Sequence, residues 1–260
     1  MTEKEKYKKF CIDCTNLPVF SQSWWLDAVC DKGKWDVILF EKRGEIIGSF
    51  PFFLKRKGFL KLNVLPKFTQ RLGPFIIDNS NENSKVILNH FIQNLPKYNL
   101  FDQNWHHKYK NWLPFFWKGF FQESMYTCII EDIDDIENKF KNFSYNRRYD
   151  VNKAKSDNLK INLNVSAEIF FEEHKKNLSK KNLNIYYTKK FFKGIFEASQ
   201  INNCGKIIGV CDKNNVYHAL SFIVWDKNFA YLAGYTSNPE KYKSGASSLL
   251  IFECLKFLNG

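Results

Sequence analysis

The sequence predicts an α+β protein in which one unit, a mixed sheet flanked by helices, is built twice in tandem. Three observations predict it. Phe20-Ser21-Gln22-Ser23-Trp24-Trp25 and Tyr187-Thr188-Lys189-Lys190-Phe191-Phe192 share one order: an aromatic, a hydroxyl, two polar residues and an aromatic pair. Each opens a helical pattern, with a hydroxyl placed to cap it and apolar residues at helical spacing behind. Two apolar, strand-like runs then follow in each half, and a further helical pattern comes later.

The first half begins its strands with Trp35–Phe40 and Ile46–Phe53, separated by a turn at Lys42-Arg43-Gly44. A small residue, Gly48, sits early in the second run, and Gly73 ends the next segment. Ser84–Ile92 reads as a helix and Asn99–Asp102 as a strand. Asp132–Lys155 is polar and reads as a helical connector. The second half reads as strand Leu159–Val165, then helices Ala167–Leu178 and Lys189–Gln200. Strands Lys206–Cys211 and Val216–Trp225 flank a turn at Asp212–Asn215, with small Ala219 early in the second and Gly234 ending the segment after it. Gly245–Leu258 is the closing helix, and no strand follows it. The halves are therefore residues 1–135 and, with the connector, 136–260, and the second unit is expected to lack its last strand.

Composition narrows the function classes. With 260 residues and 44 % apolar content the chain is ample for a globular core. Aromatic residues make up 17 %, including 26 Phe, so much of that core must be flat rings. The charged N-terminus has no apolar signal core behind it, and no apolar run reaches the ~20 residues of a membrane span. The expected location is the cytoplasm. Seven scattered Cys fit reduced thiols rather than a disulfide framework. Cys11-Ile12-Asp13-Cys14 lacks the second ligand pair of a zinc site, and neighbours His106 and His107 would point apart on a strand, so no metal is expected. The net charge of +12 favours anionic partners. Lys55, Arg56, Lys57, Lys61, Lys67 and Arg71 concentrate it with no acid between them.

Strand, two helices, three strands, helix and strand is the order of the GNAT acyltransferase fold. Two copies in one chain resemble the FemAB-type branch. Phe20–Leu26 resembles the opening segment of that branch, Leu65-Pro66-Lys67-Phe68-Thr69-Gln70-Arg71-Leu72-Gly73-Pro74 its proline-to-glycine segment, and Tyr145–Ala154 its basic R-R…K-A helix. The resemblance spans about Pro18 to Leu258 and implies an acyltransferase acting on a cell-envelope or small-molecule precursor. Acyl-CoA is its expected donor, with acetyl the expected group. Aminoacyl-tRNA transfer to a peptidoglycan precursor is one alternative, and a binding module for anionic glycan or nucleic acid that has lost catalysis is another.

The resemblance also nominates residues. GNAT enzymes hold the donor pyrophosphate on backbone N–H groups at a helix start, where partners are missing and the helix dipole favours an anion. Their Q/R-x-x-G-x-G/A pattern is present here only in part, as Lys243-Ser244-Gly245-Ala246-Ser247. Arg147, Arg148 and Lys153 share a predicted helix, and an Arg fork suits a diphosphate or carboxylate. Together with Lys55, Arg56 and Lys57 the two arginines are expected to line one cleft for a phosphorylated or otherwise anionic precursor, with tRNA a further partner. His218, one of 5 His, sits on a predicted central strand and is the candidate general base: transfer to an amine needs that amine neutral.

Overall fold

The computed structural model describes residues 1–77 and 81–259. The chain divides into two compact units, Met1–Tyr126 with the short turn Asp226–Asn228, and Thr127–Trp225 with Phe229 onward.

The first unit opens on a helix with little apolar content, α1 (Glu3–Asp13). A reciprocal cap starts it: the Thr2 hydroxyl accepts from the Glu5 N–H at 3.2 Å, and the Glu5 carboxylate accepts from the Thr2 N–H at 2.7 Å. Tyr7 and Cys11, one turn apart, are buried. A 3₁₀ turn at Val19–Ser21 leads into α2 (Ser23–Val29). The hydroxyl cap expected here does not form. Ser21 is buried inside the turn, and Gln22 stands at the cap position without a side-chain bond to the helix, its amide donating instead to the Leu17 carbonyl.

β1 (Gly33–Lys42) and β2 (Glu45–Lys57) form a long antiparallel hairpin. Its two-residue turn holds Arg43 at φ 54° and Gly44 at φ 85°, both left-handed as a type I′ turn requires. A register shift follows at Phe40/Glu41. β3 (Leu60–Asn63) and β4 (Phe75–Ile76) both pair antiparallel with β2. After α3 (Asn81–Asn94), β5 (Leu100–Phe101) returns parallel to β3, and α4 (Leu113–Phe116) follows. Both faces of β1 are covered. Trp35, Val37 and Leu39 pack with Tyr7, Leu17 and Leu26, while Ile38 packs with Phe50, Ile87 and Phe91. Residues 37–40 therefore read as a continuous apolar run, while Asp36, between Trp35 and Val37, stays exposed.

The connector resolves into two helices, α5 (Ile136–Lys141) and α6 (Tyr145–Ser156). The second sheet is antiparallel in the order β6 (Lys160–Asn162), β7 (Gly205–Cys211), β8 (Tyr217–Trp225), β9 (Ala230–Ser237). Between β6 and β7 run α7 (Ala167–Ser179) and α8 (Lys189–Ile201), capped by the hydroxyls of Ser166 and Thr188. A 3₁₀ turn at Pro239–Ser244 precedes α9 (Ala246–Asn259). One core cluster joins Val151 and Ala154 of α6 to Ile208, Val210, Ala219, Leu249 and Leu250. A second group stacks Phe170 on Phe192 at 4.8 Å, with Phe222 edge-on to Phe192 at 5.5 Å.

Both units thus contain two helices, an antiparallel hairpin, a strand paired to its second member, and a helix, in that order. The small residues early in β2 and β8 have a packing reason. A Cβ on Gly48 would stand 2.9 Å from Ile87 of α3, and Ala219 is buried among α9 residues. Gly234 does not end its segment: it lies inside β9 at a register shift, where Phe170 leaves little room. Among the described residues no strand follows α9, and none of their helices is long and apolar enough to cross a membrane.

Candidate functional site

The start of α9 was expected to cradle a phosphate beside Gly245. Gly245 does take a left-handed conformation, φ 74°, but its open side faces another part of the chain. A Cβ there would lie 2.1 Å from the main-chain oxygen of Asp150 in α6. The surrounding hydroxyls also have chain partners. Ser244 Oγ accepts from the Ala246 N–H at 3.3 Å, Ser247 Oγ accepts from the Tyr235 hydroxyl at 2.7 Å, and Ser248 Oγ donates to the Asp150 carboxylate at 3.0 Å. That carboxylate sits over the first turn of α9, where the dipole favours a negative group. The close approach that glycine permits is thus made by α6.

The three α6 cations expected to bind substrate, Arg147, Arg148 and Lys153, have partners within the chain. Arg147 Nη1 reaches Asp150 at 3.2 Å and Ser248 Oγ at 3.3 Å. Arg148 donates to the carbonyls of Lys141, at 2.7 Å, and Phe143, which ties the end of α5 to the start of α6. Lys153 Nζ donates to the Lys243 carbonyl at 2.6 Å. Lys243 therefore enters this site through its main chain.

His218 is buried, and it falls at the register shift between β7 and β8. Its Nε2 stands 3.4 Å from Asp212 Oδ2. The Asp212 carboxyl is held below its ordinary value, first by the Val216 N–H and also by the Asn214 N–H and His218. Among the described residues His218 Nδ1 is buried without a hydrogen-bond partner, as are Glu173 Oε2 and Asn177 Oδ1, one turn apart on α7. Asn177 also bonds Thr236 of β9 through its amide N at 3.2 Å. Sequence reading found His218 but missed Asp150, Asp212 and these α7 residues. Only the turn at Asp212–Asn215, with His218 six residues on from Asp212 across it, hinted at the pairing of those two.

The basic run separates into two groups. Lys67 and Arg71 lie in the loop after β3, with Arg71 Nη1 3.2 Å from His107 Nδ1. His106 and His107 lie in the loop after β5, not on a strand, with ring centroids 4.2 Å apart. Burial, then the charges of His107, Arg71 and Lys108, push His106 down to about 4. Lys55, Arg56, Lys57 and Lys61 are exposed along the β2–β3 hairpin, and none has an acidic partner among the described residues. Arg56 stands directly opposite Lys61. Like charges opposed across a ladder repel. Arg56→Glu is expected to replace repulsion with an exposed ion pair and raise stability by up to about 1 kcal/mol. Urea denaturation measures it. A clear loss of stability would reveal a structural role for the guanidinium.

No family model matches the chain, and no curated protein matches it. The crystal structure of FemX does match, with a TM-score of 0.71 at 13 % identity, over 99 % of this chain and 84 % of FemX. The chain has the FemX fold. At that identity the likeness is one of fold, and it spans both units. A FemAB-like fold is what the sequence resemblance implied.

Proposed function

We propose that the chain is a FemAB-type transferase that passes an aminoacyl group to an amine of a cell-envelope precursor. The observation that carries this reading is the FemX fold over 99 % of the chain. The thioester donor fits less well, because the helix start argued for its pyrophosphate is packed against Asp150. The unpaired cations at Lys55, Arg56, Lys57 and Lys61 suit a phosphorylated precursor or a tRNA end. His218 is the proposed general base, with Asp212 orienting one ring nitrogen and leaving the other to take the amine proton.

The test pairs the purified protein with an envelope precursor and either charged aminoacyl-tRNA or acetyl-CoA. The expected product carries the mass of one added amino acid and forms only from charged tRNA. An acetylated product formed from acetyl-CoA alone would overturn the proposal. In the same assay His218→Gln should lower kcat roughly 100-fold, near the low end for a lost general base. Its melting temperature should move little. Unchanged kcat with a lowered melting temperature would make His218 a core residue.

A further inference from the structure

The short helix α4 is fixed on one side and bare on the other. Phe115 is buried, edge-on to Trp105 and Phe120 at ring distances of 4.8 Å. Its neighbours turn outward: Phe116 is 56 % exposed and Trp117 57 %. Phe121 and Tyr126, just beyond, are each 97 % exposed, and Met125 is also exposed. Cations are interleaved with these rings. Lys110 and Lys118 are exposed, and Lys85 of α3 holds its ammonium 5.3 Å from the Trp117 ring. Between Gln103 and Ile130 the one acidic residue is Glu123.

We infer that this surface docks the protein onto an anionic lipid bilayer. Outward Trp, Tyr and Phe with Lys beside them is the composition that settles at the headgroup boundary, where rings enter and ammonium groups meet lipid phosphate. Each Lys near an anionic leaflet adds attraction, and the net charge of +12 has the matching sign. A second protein copy fits less well, because protein–protein interface cores are depleted in Lys. The rings stand on a four-residue helix and the irregular stretch after it.

Sedimentation of the full chain with lipid vesicles tests this. Vesicles of phosphatidylcholine with phosphatidylglycerol should carry the protein down, vesicles of phosphatidylcholine alone much less, and added salt should weaken the binding. The pair Trp117→Ser with Phe121→Ser should reduce partitioning roughly tenfold while leaving the melting temperature unchanged, since both rings are exposed. Lys110→Gln with Lys118→Gln should weaken binding to the anionic vesicles without touching the fold. No binding to either vesicle, or equal binding by parent and variants, would overturn the inference. So would a parent that is a dimer by sedimentation velocity and becomes a monomer on the ring substitutions, because the surface would then be covered by a second copy.

Discussion

Gly245→Val should destabilise the second unit by about 2–6 kcal/mol. Two terms combine. A side chain in the left-handed region costs roughly 1–3 kcal/mol in strain, and overpacking a filled site costs a further 1–3 kcal/mol or so. The overpacking has a named victim: the Cβ would lie 2.1 Å from the Asp150 main-chain oxygen, so α6 must move. Moving it strains three bonds at once, from Ser248 to the Asp150 carboxylate, from Arg147 to Ser248, and from Lys153 to the Lys243 carbonyl. Thermal unfolding should show a fall of roughly 10 °C. Gly245→Ala should lose less but still fall, because the clash begins at Cβ. A parent-like melting temperature in both variants would mean that α6 and the start of α9 are not packed as described.

The other large effect lies on the opposite face of the same sheet. Phe192 is fully buried between Phe170 and Phe222, with Tyr187 a third neighbour at 5.7 Å. Phe192→Ala deletes a ring from this stack and leaves a cavity, and such changes cost about 3–5 kcal/mol. Phe192→Leu should recover more than half of that, since it keeps most of the volume. The loss should appear as an earlier urea midpoint with an unaltered slope. A midpoint that hardly moves would show that the helices can close over the gap.

Much of the second unit was legible because its local signals agree with its packing. Thr188 caps α8 as its position predicts, and the apolar positions behind it, Phe192 and Ile195, are buried. Helix α7 was placed almost to its ends for the same reason. Signals that conflict with burial misled. Ser21 has the right residue type for a cap, yet the chain needed it in a tight turn that buries its hydroxyl. Helix α1 was missed because it buries only Tyr7 and Cys11, too narrow a stripe to read as amphipathic, although Thr2 and Glu5 had the spacing of a reciprocal cap.

The candidate site was less legible than the fold. Glycine before a helix is compatible with a phosphate or with a neighbouring backbone, and the sequence cannot say which will stand there. Asp150 decides it, and Asp150 lies on another helix, far away in the chain. The cations differ for a similar reason. Lys55 and Arg56 stay exposed on a hairpin, whereas Arg147, also exposed, bonds Asp150 one turn on and Ser248, which only the fold brings near, and Arg148 bonds main-chain carbonyls a few residues before it.

The covering of β1 on both faces has a consequence for how its pairing is fixed. In a strand with one wet face, slipping by one residue turns its apolar set into water, and that penalty selects the correct alignment. Here a slip would exchange Trp35, Val37 and Leu39 for Asp36, Ile38 and Phe40, so it trades apolar for apolar except at Asp36, whose burial carries the penalty. Alignment then rests on Asp36 near one end of the strand and on the turn at the other. The left-handed pair Arg43–Gly44 and the irregularity at Phe40/Glu41 are the features that set it at the turn. The exposed loop tip, elsewhere the most tolerant part of a protein to insertion, is in this hairpin the part that holds the core in step.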